Sequence, residues 1–202
     1  MIHSDLKPEN ILYKDSRKKD LKIIDFGSGS FTSRQGYSYV QSRYYRAPEV
    51  VLNINNPPQY SAYGCPIDMW SLGCIVGELY SGVPVFPGID ENELLEIMDL
   101  LVGSIPAEMV ESGKKRDKLF YQGANGTWKV RKSPNSRVQN VVKNQISLEQ
   151  IIFKSSQTVN LSQLTTDQAN LIDFIKKCFL YKPFERMTCD EALKHPFLKN
   201  VV

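Results

Sequence analysis

His3-Ser4-Asp5-Leu6-Lys7-Pro8-Glu9-Asn10 and, after a basic spacer and the apolar run Leu21-Lys22-Ile23-Ile24, Asp25-Phe26-Gly27 are the stretches from which the rest of this chain is read. Apolar and β-branched residues flank polar turn residues between them. That pattern predicts a short strand over residues 11–13, a turn over 14–20 and a strand over 21–24. Such a hairpin presents Asp5 and Asp25 from neighbouring edges.

Outward from there, residues 28–64 carry Gly, Ser, Asn and Pro with few periodic apolar positions. They read as a long loop, of a length that in compact domains is functional or disordered, and we read it as a switch. Residues 66–80 are apolar on nearly every side (Ile67, Met69, Trp70, Leu72, Cys74, Ile75, Val76, Leu79), which predicts a helix buried all round, the spine of the core. Asp90 with Glu93 predicts a capping box that opens a helix carrying Leu94, Leu95, Ile97, Met98 and Leu101, with Gly103 as its stop.

Residues 104–163 are polar, basic and weakly periodic, and they read as an irregular insert with one short helix and a turn at 122–126. Helical spacing returns over 166–180 (Ala169, Ile172, Ile175, Phe179). Thr188 with Glu191 opens a last helix that stops before His195-Pro196, where His195 is given no chemistry. The sum is a mainly α domain with a small β-hairpin element at one end.

Composition sets ordinary bounds. At 202 residues, 42% hydrophobic and 23% charged, the chain can bury one sizeable core. A net charge of +3 is too small to imply nucleic acid as a partner, and Lys114-Lys115-Arg116 and Arg131-Lys132 read as solvated faces. No apolar run approaches the roughly 20 residues of a membrane span, so no membrane partner is expected. Cys65, Cys74, Cys178 and Cys189 lack C-x-x-C spacing, which with no secretory signature points to free thiols and an intracellular setting, cytoplasm or nucleus. The sequons at Asn125 and Asn160 are therefore discounted.

Chemistry concentrates in the two opening stretches. Asp5 suits accepting a hydroxyl proton; its alternative is a surface Asx turn ahead of Lys7-Pro8. Asn10 and Asp25 offer the hard oxygen ligands that Mg²⁺ prefers, whereas the alternative, turn residues at strand ends, suits each alone and not the pair. Gly27-Ser28-Gly29 lacks a third Gly and a strand-turn-helix context, so it is no phosphate loop. These three groups are what phosphoryl transfer from Mg-ATP to a hydroxyl requires. A Gly-rich loop, a strand Lys and a helix Glu belong N-terminal to them in that apparatus, and only two residues precede His3, so that half is expected outside the chain.

His3 to Asn10, Asp25-Phe26-Gly27, Ala47-Pro48-Glu49, Asp68-Met69-Trp70-Ser71-Leu72-Gly73 and Arg186, in this order, resemble the C-terminal lobe of a eukaryotic protein kinase. More finely, Asp25-Phe26-Gly27-Ser28, Tyr37-Ser38-Tyr39, Gln41-Ser42-Arg43-Tyr44-Tyr45-Arg46-Ala47-Pro48-Glu49 and Gly64-Cys65-Pro66-Ile67-Asp68-Met69-Trp70 resemble the dual-specificity tyrosine-regulated kinases (DYRK family). The homeodomain-interacting kinases, which usually lack the doubled tyrosine, come second.

The resemblance implies a kinase-lobe fold over residues 1–202 with its N-terminal lobe absent, an activation segment at 28–49 and a family-type insert at 103–163. It implies that Asp5 takes the substrate proton, that Lys7 neutralises the transferring phosphoryl, and that Lys7, Asn10 and Asp25 meet ATP with Mg²⁺ on Asn10 and Asp25. Glu49 and Arg186 would form a buried ion pair. Asp68 would accept backbone N–H groups of the catalytic loop; the alternative is an ordinary helix-start Asp.

Two departures stand out. Ser4 replaces the Arg that receives the activation-loop phosphate in many kinases, and it offers neither positive charge nor a bidentate fork. The resemblance implies instead that Tyr39 is autophosphorylated and its phosphate held by Arg43 and Arg46; the alternative is a Tyr packed on Arg stems. The link from Asn53 to Tyr63 is longer than usual, so the family's preference for Pro after the phosphorylated residue is not carried over.

Two functions follow as expectations. One is a kinase that phosphorylates Ser/Thr of protein substrates and its own Tyr39, with the 202-residue chain alone inactive for want of the missing N-terminal lobe. The other is a non-catalytic binding module. In both, an exposed apolar face would promote self-association.

Overall fold

The structure is a computed structural model that describes residues 1–17, 20–32, 39–54, 64–134, 136, 138, 146–155 and 158–199. Tyr37, Ser38 and most of the long link, residues 55–63, lie outside the described residues. Pro8 opens a 3-10 turn, Pro8–Asn10, whose first N–H would be unpaired in any case. The chain then enters β1 (Ile11–Tyr13), antiparallel to β2 (Leu21–Ile23) with Leu12 opposite Lys22. β2 stops one residue short of the predicted end, and Ile24 donates its N–H to the carbonyl of Asn10 at 2.9 Å, ahead of β1.

Among its described residues the loop read at 28–64 holds two short helical elements, a 3-10 turn at Arg43–Tyr45 and α1 at Pro48–Val51. Four residues are too few for a helical period to register in sequence, but all four of α1 are buried.

α2 (Pro66–Ser81) is the core helix, with Trp70 fully buried against Phe86 at 5.5 Å and Phe179 at 5.0 Å between ring centroids. Its burial on every side fails in the last turn, where Leu79 is 72% exposed and Tyr80 is half exposed with its ring edge-on to Phe153. α2 packs on α6 (Leu148–Ile152) and α7 (Thr166–Cys178). Gly73 makes that approach possible, because a Cβ there would lie 2.6 Å from the Cys178 Cβ and 2.9 Å from the Phe179 ring. All four cysteines are free thiols.

α3 (Glu91–Val102) starts on an Asp90 cap that accepts the Glu93 N–H at 2.9 Å. The predicted capping box is only half formed, since the Glu93 carboxylate instead accepts the N–H of Ile89 at 2.7 Å. The insert is more ordered than the sequence reading implied. It holds α4 (Ala107–Ser112), α5 (Arg116–Leu119), a hairpin of β3 (Phe120–Gln122) and β4 (Trp128–Val130), and α6, which a Ser147–Gln150 capping box opens. These elements are three to six residues long, below the span over which amphipathic periods are visible. The turn read at 122–126 closes the hairpin, with Gly126 at φ 76°.

The helix predicted over 166–180 ends at Cys178, and α8 (Cys189–Leu193) has the Thr188–Glu191 capping box. His195 does structural work at this stop. Its Nε2 is 2.8 Å from Asp173 Oδ2 and its Nδ1 accepts the Phe197 N–H at 3.2 Å, pinning the C-terminal turn to α7.

Candidate active site

The loop at residues 3–5 is held from beneath by α2. Asp68, in the first turn of α2, accepts the N–H of His3 on Oδ2 at 2.7 Å and that of Ser4 on Oδ1 at 3.0 Å. Burial pushes the Asp68 carboxyl above its ordinary value, and those two N–H donors oppose the rise. Ser4 sits at φ 66°, Asp25 at 60° and Gln41 at 67°, left-handed conformations that a non-glycine residue adopts at a cost of order 1–3 kcal/mol. All three lie at this site. Two of them are tied to each other, since the Ser4 carbonyl accepts the Gln41 N–H at 2.9 Å.

His3, which sequence reasoning assigned no role, joins the two opening stretches. Its Nδ1 accepts the Asp5 N–H at 3.2 Å, which makes Nε2 the protonated nitrogen, donating to the Ile24 carbonyl at 3.0 Å. The ring meets Phe26 edge-on at 4.9 Å. A buried imidazole therefore sets the spacing between the Asp5 loop and the Asp25 motif.

Asp5 is the most densely bonded carboxylate of the site. Oδ1 accepts the Ser42 N–H at 3.0 Å and the Ser42 hydroxyl at 2.7 Å; Oδ2 accepts Lys7 Nζ at 2.7 Å and, more weakly, Asn10 Nδ2 at 3.4 Å. Burial alone would raise its pKa, but the hydrogen bonds of Lys7 and Ser42 and the Lys7 charge outweigh burial and hold it below the ordinary carboxylate range. Lys7 is raised in turn, chiefly by its bond to Asp5. Ser42 was another omission of the sequence reading, because nothing in a linear sequence shows that residue 42 returns to residue 5.

Asn10 is buried and spends its amide nitrogen on the Asp5 carbonyl at 2.8 Å, which leaves Oδ1 as its ligand-type atom. Asp25 is exposed, with Oδ1 accepting the Gly27 N–H at 3.3 Å. Among the described residues no three His, Cys, Asp or Glu side chains gather as a metal cage. Two oxygen donors fit Mg²⁺, a cation usually bound through one or two protein oxygens plus substrate phosphates and water.

The segment behind Ser42 is tied into the core. Gln41 Nε2 donates to the carbonyl of Ile67 and the hydroxyl of Ser71 at 2.9 and 2.8 Å, while its Oε1 accepts the Ala47 N–H at 2.9 Å. The Tyr45 hydroxyl donates to Glu78 at 2.7 Å. Arg186 forms a bidentate pair with Glu49, at 2.7 and 3.0 Å, with both side chains almost fully buried.

The sequence-predicted regulatory residues are only partly brought together. Arg46 Nη1 donates to the Tyr39 hydroxyl at 2.6 Å, and its guanidinium carbon lies 4.0 Å from the ring centroid. Arg43 goes elsewhere, donating to the Ile89 carbonyl. The Ser4 hydroxyl is buried and has no partner among the described residues.

A carboxylate held by a lysine and a serine beside a buried asparagine, on a helical body carrying small sheets, fits a protein kinase domain. The chain belongs to that family: its protein kinase domain pattern matches residues 1–198. Among relatives, the chain is 40% identical over 206 residues to the dual specificity tyrosine-phosphorylation-regulated kinase 2 of Drosophila melanogaster, covering 98% of this chain and 24% of that protein. It is 38% identical over 204 residues to the dual specificity tyrosine-phosphorylation-regulated kinase 3 of Homo sapiens, covering 100% and 33%. The serine/threonine-protein kinase ppk15 of Schizosaccharomyces pombe is 38% identical over 214 residues, covering 98% and 39%. The chain thus spans between a quarter and two fifths of the length of these relatives.

Proposed function

We propose that this chain is the C-terminal lobe of a kinase that transfers the ATP γ-phosphate to Ser/Thr hydroxyls of proteins, with residues 28–49 as its activation segment and Tyr39 as a site of autophosphorylation. The observation that carries this reading is the Asp5 carboxylate, fixed by Ser42 and Lys7 beside Asn10, with Asp25 near enough to act on the Lys7 charge. In the reaction the hydroxyl oxygen bonds to the γ-phosphorus, the bond to the β-bridging oxygen breaks, ADP leaves, and the hydroxyl proton passes to Asp5. Lys7 offers its positive charge to the transferring phosphoryl. Mg²⁺ bound to the nucleotide supplies charge neutralisation of the phosphates, and Asn10 Oδ1 and Asp25 are the groups that would hold it.

A depressed pKa makes Asp5 a weak base, which suits a carboxylate that orients the hydroxyl and takes its proton late. Residues 1–202 contain no Gly-x-Gly-x-x-Gly loop, and the chain alone is proposed to be inactive. Leu21 and Ile23 stand on one face of the hairpin, opposite Tyr13 and Ile11, and both are about half exposed, a face suited to a second lobe.

The same face favours a second reading, a non-catalytic module that binds a partner there. Phosphorylation of a generic basic protein separates the two. We expect none from residues 1–202, and activity from the same chain fused to its upstream reading frame, lost on Asp5→Asn. An upstream frame without a Gly-rich loop and strand Lys would sink the kinase reading in favour of the module.

A further inference from the structure

Arg46 is only 5% exposed, yet its donors go to neutral oxygens alone: the carbonyls of Val40 and Gln41 and the Tyr39 hydroxyl. Among the described residues no carboxylate lies within ion-pair distance of it, and the residues outside that set contain no Asp or Glu. A buried cation without a counter-charge is costly, so the site is electrostatically incomplete with a neutral Tyr39. The ring it holds is half exposed, so an anion on the hydroxyl could be accommodated.

A second cation reaches the same ring from the insert. Lys115 Nζ lies 4.9 Å from the Tyr39 centroid. It is carried there by residues 113–115, which dock on the turn after α1: Gly113 bridges Ile54, and the N–H groups of Lys114 and Lys115 donate to the carbonyls of Asn53 and Leu52. In this state the Lys115 ammonium pairs with Glu91 at 2.5 Å, and Lys118 stands by at 3.7 Å from the other oxygen of Glu91. Glu91 therefore keeps a cationic partner if Lys115 turns to Tyr39. Arg43, which the family resemblance paired with Arg46 for this task, is engaged with Ile89.

We infer that a phosphate on Tyr39 is bound by Arg46 and by Lys115 of the insert, rather than by Arg46 and Arg43, so that the tyrosine's state is coupled to the docking of residues 113–115 on the segment that follows α1. The inference rests on the proposed phosphorylation of Tyr39 for its biological use but not for its chemistry. Two added charge-assisted bonds stabilise the pair of segments, and Lys115 exchanges Glu91 for the phosphate while Lys118 takes over Glu91.

The test places the anion without any kinase, by genetically encoding p-carboxymethyl-phenylalanine at position 39 of residues 1–202. The melting temperature is compared with the Tyr39 protein. In the parent and in Arg43→Gln the anion should raise it by roughly 2–4 °C, the shift that about one unit of stabilisation gives a chain of this size. In Lys115→Gln at least half of that rise should vanish, Lys115→Arg should restore it, and Glu91→Gln should enlarge it. Amide exchange at Lys114 and Lys115 should slow with the anion, a readout that survives if Lys115→Gln melts too early for comparison. An undiminished rise in Lys115→Gln, or its loss in Arg43→Gln instead, overturns the inference. Intact mass of the protein from its native source reports separately whether Tyr39 is phosphorylated, so failure of the functional reading and failure of this one are distinguishable.

Discussion

Ser42 donates both its N–H and its hydroxyl to the same oxygen of Asp5, Oδ1, at 3.0 and 2.7 Å. The residue proposed to take the substrate proton is thus positioned from a segment 37 residues further along the chain. Because its folded pKa lies below the unfolded one, the Asp5 charge stabilises the fold above roughly pH 4 and that contribution is lost as pH falls through the folded value. Ser42→Ala should move the Asp5 titration upward, followed by carboxyl carbon NMR; an unmoved titration would show that Lys7 alone sets the value.

Glu49 and Arg186 should be costly to separate. Arg186 also donates to the carbonyls of Leu180, Pro66 and Tyr181, so Glu49→Leu strands a cation in a fully built socket. We expect a loss of about 3–5 kcal/mol in urea unfolding. Trp70 fluorescence is a suitable signal, since the Arg186 guanidinium lies 5.3 Å from its ring. A loss under about 1 kcal/mol, the level of an exposed pair, would contradict the burial argument.

Gly73→Ala sets helix propensity against packing. Alanine favours the helix by about 1 kcal/mol, but a Cβ 2.6 Å from Cys178 Cβ forces α2 and α7 apart, and overpacking typically costs 1–3 kcal/mol. Net destabilisation is expected by calorimetry. A stabilised variant would mean that α7 yields freely.

If the upstream-extended chain has the proposed activity, Asp25→Asn and Asn10→Ala should weaken its Mg²⁺ use. The expected signature is a rise in the Mg²⁺ concentration for half-maximal rate, with a rate loss of about 100-fold or more for Asp25→Asn. An unchanged Mg²⁺ dependence in both would remove these residues from the metal site.

The half-exposed Leu21 and Ile23 should make residues 1–202 associate as concentration rises. Replacing both by Lys should return a monomer in size-exclusion chromatography, and a parent that is monomeric at every concentration would refute the idea.

How much of this was legible can be judged from particular residues. The Ile11–Tyr13 and Leu21–Ile23 hairpin, the α2 helix and the Thr188 cap are local patterns of period and turn chemistry, and each was found where its residues stand. The short pieces of the insert were missed because elements of three to six residues carry too few positions for a period to show. Lys115 and Ser42 were missed for another reason: each acts on a residue far away in sequence.

What remains to the sequence alone is the chemistry on offer, two carboxylates, an amide and a lysine at fixed spacings, since reactivity is a property of side-chain type. Where those groups are aimed depended on the fold. Ser42 reaches Asp5, Arg43 turns to Ile89 and Lys115 rises over Tyr39 only because packing onto α2 and the docked insert brings distant backbone together. Direction and distance are set by that packing, and a linear order of residues does not contain them.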